Sequence, residues 1–294
     1  MNPISEDELR CFFEDDNWTI DTLLSWGILY TRDVCPRCSK GKLTYNPKTR
    51  LWKCSLWRKC RYTVSVLKHS FFDGRRLPIG KQMRLIYEWI QQSGVVSTAN
   101  RLGLSTKTVV RYFLDCRQSV SDFVQTEAEK VGAEGVIVEI DESKFGKRKN
   151  NRGNHIEGVW VFGGIEIQGK RNVFLQAVED RTRLTLVPVI MENIEDGSTI
   201  HSDMWKAYEG LEKINNYEHK TVNHSKTFLD KETGVHTNRI EATWRAAKVL
   251  VPLPCRNVRR IQPYLDEYCW RKRHRGELFT AFLSILQDLK YFEE

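Results

Sequence analysis

The sequence lacks any apolar run near the roughly 18 residues that a membrane-spanning helix requires, so it does not predict a membrane protein. It also lacks internal repeats and low-complexity tracts, which excludes solenoid and fibrous architectures. The first residues, MNPISEDELR, are acidic, unlike the basic and then apolar start of a secretory signal peptide. We therefore expect a soluble intracellular protein, whose 294 residues with 40% apolar content suffice for two or three modules.

Acidic residues are nearly absent from one stretch of the chain. Residues 40–84 hold 13 Lys/Arg and one acid, a net charge of +12 (13 − 1), whereas residues 1–33 hold eight acids and two arginines, or −6 (2 − 8). Positive charge concentrated in one segment is typical of a nucleic-acid footprint, although a solvated basic face is the alternative. The candidate DNA contacts in this stretch are Lys53, Arg58, Lys59, Arg61, Arg75 and Arg76.

Four of the eight cysteines are clustered with the spacing C-x2-C-x15-C-x5-C, and they are Cys35, Cys38, Cys54 and Cys60. Four thiolates complete the tetrahedral site that structural Zn²⁺ prefers, and in an intracellular protein such a cluster indicates a metal rather than disulfides. A hairpin with its turn at Asn46-Pro47 lies between the two pairs, so the segment is predicted to be a zinc ribbon. His69 is a possible substitute ligand, and the x5 gap is wider than the usual x2.

Residues 95–116 predict a helix-turn-helix, with Gly103 in the turn and Ser105 as the N-cap of the second helix. We expect Val109, Val110 and Phe113 on the buried side of that helix. The residues expected to face outward, where a recognition helix meets DNA, are Lys107, Thr108, Arg111 and Tyr112. A helical pair used only for packing is the alternative.

From Gly135 onward the pattern changes to β-type segments: VIVEID, VWVFGGIEI and NVFLQAVED. TRLTLVPVIMENI then predicts a helix, STIHSD a strand, MWKAYEGL a helix, HKTVNHS a strand and NRIEATWRAAKVL a helix. The order βββαβαβα is that of a ribonuclease-H-like α/β domain. We therefore predict a multidomain α+β protein, with a helical segment at 1–30, the ribbon at 31–70, the helix-turn-helix at 77–120, the catalytic domain at 133–252 and a basic helical C-terminal region at 253–294.

Three carboxylates lie at the edges of these segments: Asp141, Asp203 and Glu241. Such a set can hold two Mg²⁺ or Mn²⁺ ions, which activate water and phosphate oxygens. Glu139 shares a strand face with Asp141 and is a rival ligand, because side chains alternate along a strand. Helical spacing places Arg245 and Lys248 on the same face as Glu241.

These strings resemble the transposases of the Merlin superfamily and their bacterial ISXO-type insertion-sequence relatives. The shared features are CPRC and the later cysteines, EIDESKFGKR, VWVFGGIE, STIHSDMWKAY, VNHS and HTNRIEATWRAAK. The resemblance implies a DDE transposase whose metal-binding triad is Asp141, Asp203 and Glu241, with Lys248 as an auxiliary basic residue. Some relatives use asparagine at the third position, so Asn238 is a rival or auxiliary to Glu241.

The predicted function is cut-and-paste DNA transposition by a homodimer that binds terminal inverted repeats and target DNA, with one structural Zn²⁺ and two Mg²⁺ per active site. Further candidate DNA contacts are Lys144 and the tail residues Arg256, Arg259, Arg260 and 271–275. The alternatives are a ribonuclease-H-class nuclease without strand transfer and a DNA-binding regulator derived from a transposase. We expect a nuclear location in a eukaryotic host and the cytoplasm or nucleoid otherwise.

Overall fold

The computed structural model describes residues 4–29, 31, 33–127, 129–146, 158–169, 172–222 and 237–288. The chain divides into two compact units, the first comprising Met1–Ser119 with Gly276–Glu294 and the second comprising Val120–Arg275. Within the described residues, no helix has both the length and the apolar character needed to cross a bilayer.

The described elements are as follows. The helices are α1 (Glu6–Glu14), α2 (Asp16–Ser25), α3 (Trp57–Cys60), α4 (Ile79–Ile90), α5 (Val95–Leu102), α6 (Thr106–Glu127), α7 (Arg183–Asn193), α8 (Asn238–Leu250), α9 (Gln262–Arg273) and α10 (Leu278–Asp288). The strands are β1 (Leu43–Asn46), β2 (Leu51–Cys54), β3 (Thr63–Ser65), β4 (Ile137–Phe145), β5 (Val159–Glu166), β6 (Val173–Val178), β7 (Thr199–Asp203) and β8 (Glu218–Val222). The helices predicted near both ends of the chain are therefore confirmed.

The cysteine segment of the first unit folds into a three-stranded antiparallel sheet in the order β1-β2-β3. The turn between β1 and β2 follows Asn46, whose side-chain oxygen accepts the N–H groups of Lys48 and Thr49 at 3.0 and 3.3 Å. The predicted hairpin is thus present. Arg50 at the end of this turn pairs with Asp16 of α2 at 2.9 Å, which joins the ribbon to the N-terminal helices.

Helices α5 and α6 form the predicted helical pair. Gly103 ends α5 in the left-handed region (φ 62°), and the Ser105 hydroxyl accepts the Thr108 N–H at 3.1 Å as the N-cap of α6. Two of the predicted orientations are wrong. Val110 is 42% exposed, whereas Tyr112 is buried and donates its hydroxyl to Gln82 Oε1 at 2.5 Å.

The second unit is built on a five-stranded sheet in the order β6-β5-β4-β7-β8. The pairs β4–β5 and β5–β6 are antiparallel, whereas the pairs β4–β7 and β7–β8 are parallel. The sheet therefore has a meander on one side of β4 and parallel strands on the other.

Apolar side chains cover both faces of this sheet. Val138 and Ile140 of β4 pack in the core that contains the α7 residues Leu186 and Ile190. Phe145 and the α8 residue Trp244 belong to the core on the opposite face, to which α9 also contributes. The two cores follow the strand alternation that the sequence predicts, with Glu139 and Asp141 directed away from Val138 and Ile140.

The helix predicted directly after Asp203 is wrong. The structure has two single-turn 3-10 helices there, Lys206–Tyr208 and Leu211–Lys213. Gly210 between them has φ 78°, a left-handed conformation that no α-helix contains. The predicted strand HKTVNHS is present as β8 up to Val222, and its remainder lies outside the described residues together with the predicted motif residues 223–236 and 147–157.

Candidate metal sites and their surroundings

The four clustered cysteines lie together in the first unit. Their sulfur atoms are all within 4.8 Å of one another, with 3.6 Å between Cys35 and Cys60 and 3.8 Å between Cys38 and Cys54. Zn–S bonds of about 2.3 Å in a tetrahedron require sulfur atoms about 3.8 Å apart. The four thiols therefore fit a zinc ion without rearrangement.

The local backbone explains how this cage forms. Helix α3 occupies the x5 gap with a single turn, which returns the chain so that Cys60 faces Cys35. Gly41 has no side chain where a Cβ would lie 2.4 Å from the Cys54 sulfur. The Gly41 N–H also points at the Cys38 sulfur at 3.4 Å, and this hydrogen bond, followed by one from the Lys40 main chain, lowers the pKa of the Cys38 thiol to about 6.

In the second unit, Asp141 and Asp203 lie on neighbouring parallel strands. The β4–β7 ladder pairs Ile137 with Thr199 and Glu139 with His201, a constant offset of 62 (199 − 137). The same offset brings Asp141 level with Asp203 (203 − 141 = 62), two residues beyond the end of the ladder. Because side chains alternate along each strand, this register directs Asp141 and Asp203 to the same face of the sheet.

Glu139, the rival to Asp141, anchors helix α8. Its Oε2 accepts the main-chain N–H groups of Arg239 and Ile240 at 2.8 and 2.9 Å, and the side chain is fully buried. A carboxylate is favourable at this position because the N-terminus of a helix carries partial positive charge. Glu139 therefore fixes the first turn of α8, which contains Glu241, over the strand that contains Asp141.

Trp244, one turn after Glu241, hydrogen-bonds to Asp141. Its indole N–H donates to Oδ2 of Asp141 at 2.9 Å, and its ring is 5% exposed. Gly163, the partner of Asp141 on β5, makes room for this ring, since a Cβ there would lie 2.9 Å from Trp244 Cη2. The tryptophan thus holds one oxygen of Asp141 in a fixed direction, a role that the sequence analysis did not identify.

The charges of Asp203 and Glu241 both act on Asp141. Burial, followed by the negative charges of Asp203 and Glu241, raises the pKa of Asp141 to about 6. A fourth carboxylate that the sequence analysis missed, Glu142, has its pKa raised by burial to about 7 and accepts the hydroxyl of Tyr208. A cluster of like charges in a partly buried site favours a bound cation. The sequence did contain a signal for this fourth carboxylate, because Glu142 lies in the string IDES and its partner Tyr208 lies in SDMWKAY.

The predicted auxiliary residues lie at different places on α8. Lys248 donates from Nζ to Ser143 Oγ at 2.7 Å, and its pKa is lowered by burial and by Arg256, although Asp141 opposes this effect. Ser143 and Asp141 are on the same face of β4, so Lys248 belongs to the surroundings of Asp141. Arg245 and Asn238 are exposed on the helix surface.

The other candidate DNA contacts occupy three kinds of position. Those that are exposed are Arg58, Lys59, Arg61, Arg76, Lys107 and Arg111, whereas Lys53 and Thr108 are partly buried. Arg75 is involved in packing, because it pairs with Asp115 at 2.8 Å and its guanidinium lies over the rings of Phe71 and Tyr112. Lys144 lies against the ring of Trp160 at 5.4 Å. The tail residue Arg256 bonds to the carbonyls of Lys248 and Val251 at the end of α8.

A match to a family model covers most of the second unit. Residues 128–272 match the ISXO2-like transposase domain. The segment is 145 residues long (272 − 128 + 1), just under half of the chain, and it contains the complete five-stranded sheet with Asp141, Asp203 and Glu241. The match supports a DDE-type transposase and agrees with the resemblance to ISXO-type insertion-sequence transposases.

Comparisons with other proteins add little to this match. No curated protein is significantly similar in sequence. Among solved structures, the Mos1 strand transfer complex is 11% identical with a TM-score of 0.27, covering 72% of this chain and 78% of that chain. A pre-cleavage Mos1 transpososome is 9% identical with a TM-score of 0.21, covering 72% and 79%. Similarity at this level is too low to support conclusions about the fold or the activity.

Proposed function

We propose that the protein is a cut-and-paste DNA transposase of the Merlin superfamily, with a ribonuclease-H-like catalytic domain. The observation that supports the proposal is that Asp203, on the strand parallel to β4, and Glu241, on the helix packed against β4, both lie within electrostatic reach of Asp141. The segment that contains them matches a transposase domain. The strand order β6-β5-β4-β7-β8, with its antiparallel meander and two parallel additions, supports the ribonuclease-H-like assignment.

Asp141, Asp203 and Glu241 are the residues that would hold two Mg²⁺ ions. When bound, a pair of such ions activates the attacking oxygen and stabilises both the pentavalent phosphorus and the leaving oxygen. Carboxylate oxygens are the preferred ligands of hard cations, and burial, with a further contribution from the charges of Asp203 and Glu241, raises the pKa of Asp141 to about 6.

The proposed reaction consists of two substitutions at phosphorus. Water adds to the phosphorus at the end of the element, the P–O bond to the terminal 3′ oxygen breaks, and that oxygen leaves as a 3′-hydroxyl. This hydroxyl then displaces a 3′ oxygen from a phosphodiester of the target DNA, so one bond is exchanged for another without an external energy source. Trp244 orients Asp141 for these steps, and Lys248 places a positive charge on the same face of β4.

The first unit is proposed to recognise the terminal inverted repeats. Its support is the net charge of +12 over residues 40–84 and the exposed lysine and arginine residues of the ribbon and of α6. Because the two ends of an element must be cut together, we propose that the protein acts as a homodimer on DNA.

The experiment that tests this function uses pre-cleaved DNA ends bearing the terminal repeat of the element, a supercoiled plasmid and Mg²⁺ or Mn²⁺. Joining of the ends to the plasmid is expected with either metal and not in metal-free buffer. Products of cutting without joining would support the nuclease alternative, and the absence of both products would refute the proposed activity.

Replacing Trp244 by phenylalanine is expected to raise the Mg²⁺ concentration required for cleavage by about 10- to 100-fold, as is typical when the partner of a metal ligand is removed. Phenylalanine keeps the packing against Phe145 but cannot donate to Asp141. The measurements are a Mg²⁺ titration of cleavage and the Mn²⁺ affinity without DNA. Trp270→Phe, at another buried tryptophan of the same unit, is the matched control, and equal metal affinity in both variants would contradict the assigned role.

A further inference from the structure

Two tryptophans and two basic residues form a layered surface beside Asp203. The guanidinium carbon of Arg181 lies 4.1 Å from the ring centre of Trp160 and 4.6 Å from that of Trp205. Lys144 Nζ lies 5.4 Å from the Trp160 ring. Cations over aromatic rings are attracted by the negative charge of the ring faces, so the layer is a stable unit.

Two hydrogen bonds between side chains and the main chain fix this layer to the candidate metal site. The indole N–H of Trp205 donates to the carbonyl of Arg181 at 3.2 Å, and the main-chain N–H of Trp205 donates to Oδ1 of Asp203 at 2.9 Å. Lys144 and Trp160 are direct partners across β4 and β5. The position of the Trp205 ring is therefore tied to the carboxylate that is proposed to hold metal.

The outer part of the layer is exposed to solvent. Trp205 is 40% exposed although Arg181 covers one face of its ring, and the adjacent Met204 is 65% exposed. The exposed parts of these two large apolar side chains do not stabilise the core, although they lie at the edge of a candidate active site. Exposed apolar surface of this kind commonly marks a binding site.

We propose that Trp205, supported by Arg181 and Trp160, is a stacking site for an unpaired base of the DNA strand that is cut at the proposed active site. A base has apolar faces that stack on tryptophan and on arginine, and this contact contributes about 1–3 kcal/mol per base. Within a duplex those faces are covered by neighbouring bases, so the base must be unpaired or turned out of the stack. This proposal rests on the proposed function, which supplies the DNA strand.

The charges around the layer favour a base over a phosphate as the group in direct contact with Trp205. The carboxylate of Asp203 accepts the main-chain N–H of Trp205, and its negative charge would repel a phosphate that approached without metal. A base is neutral and meets no such repulsion. Arg181 and Lys144 are then placed to attract the backbone on either side of the stacked base.

The test measures binding of the zinc-loaded, full-length protein to labelled (dT)4 and to an abasic tetramer of the same length, in magnesium-free buffer without chelator. The wild type is expected to prefer the base-bearing strand. Trp205→Ala is expected to reduce this preference about five-fold or more, and Trp205→Phe is expected to retain most of it. Trp57→Ala is the matched control, because Trp57 is also exposed (45%) and lies near a lysine, but it belongs to the ribbon.

An unchanged preference in Trp205→Ala, an equal loss in Trp57→Ala, or no preference in the wild type would each overturn the proposal. Cross-linking of a 5-iodouracil strand provides a second measurement, and the modified peptide is expected to contain Trp205. Cross-links confined to other segments would also overturn the proposal. That result is expected if the surface at Trp205 binds a protein instead of DNA. Because these measurements involve no Mg²⁺ and no cleavage, a failed joining assay would refute the transposase function without deciding the stacking site.

Discussion

Asp203→Asn is expected to lower Mg²⁺-dependent DNA cleavage about 1,000-fold or more. In the proposed mechanism the substitution removes one anionic ligand and with it several kcal/mol of metal-assisted charge stabilisation, and each ~1.4 kcal/mol corresponds to a factor of ten in rate. Asparagine keeps an Oδ1 atom, so it still accepts the N–H of Trp205 and preserves the turn after β7. The substitution therefore tests the charge of Asp203 with little change in its structure.

Single-turnover cleavage at saturating protein is the measurement, with Asp196→Asn as the control because Asp196 is an exposed acid of the same unit. Without metal, Asp203→Asn is expected to raise the melting temperature, since Asp203 is one of the negative charges that raise the pKa of Asp141. Loss of activity together with gain of stability distinguishes a metal ligand from a structural acid. Cleavage at the wild-type rate would show that Asp203 does not belong to the catalytic triad.

The sequence predicts the elements of the second unit well because most of its strands and helices have strong local patterns. β4 alternates apolar and acidic residues, and α8 has a helical stripe of apolar residues beside Glu241. The cluster of four cysteines is also predictable, because thiols at that spacing are typical of structural metal sites. The helix predicted over 204–211 is wrong because its helical composition is overridden by Gly210 and by the side chain of Asp203.

The contacts that distinguish the acids from one another could not be predicted from local patterns. Glu139 and Asp141 look equivalent on one strand face, and only the arrival of α8, about a hundred residues later, assigns Glu139 to its N-terminus and gives Asp141 the indole of Trp244. The predicted orientation of Tyr112 was wrong for a similar reason. Its hydroxyl bonds to Gln82 of α4, a partner 30 residues away that the periodicity of α6 does not reveal.

Cys35→Ser is expected to abolish zinc binding and to unfold the ribbon while the second unit stays folded. The ribbon has strands of only four, four and three residues, so most of its stability must come from the metal, whose binding contributes on the order of 10 kcal/mol or more. The measurements are zinc content of the purified protein and hydrogen exchange of residues 31–70. Cys11→Ser, at a cysteine outside the cage, is expected to behave as the wild type.

Gly41→Ala tests the geometry of the same cage with all four thiols intact. The added Cβ would lie 2.4 Å from the Cys54 sulfur, and a metal-bound sulfur cannot move away without breaking the tetrahedron. Zinc affinity is therefore expected to fall steeply, and specific binding of DNA ends should fall with it if the ribbon reads them. Normal zinc content in both Gly41→Ala and Cys35→Ser would show that the four sulfur atoms, despite their 3.6 and 3.8 Å separations, do not form the metal site.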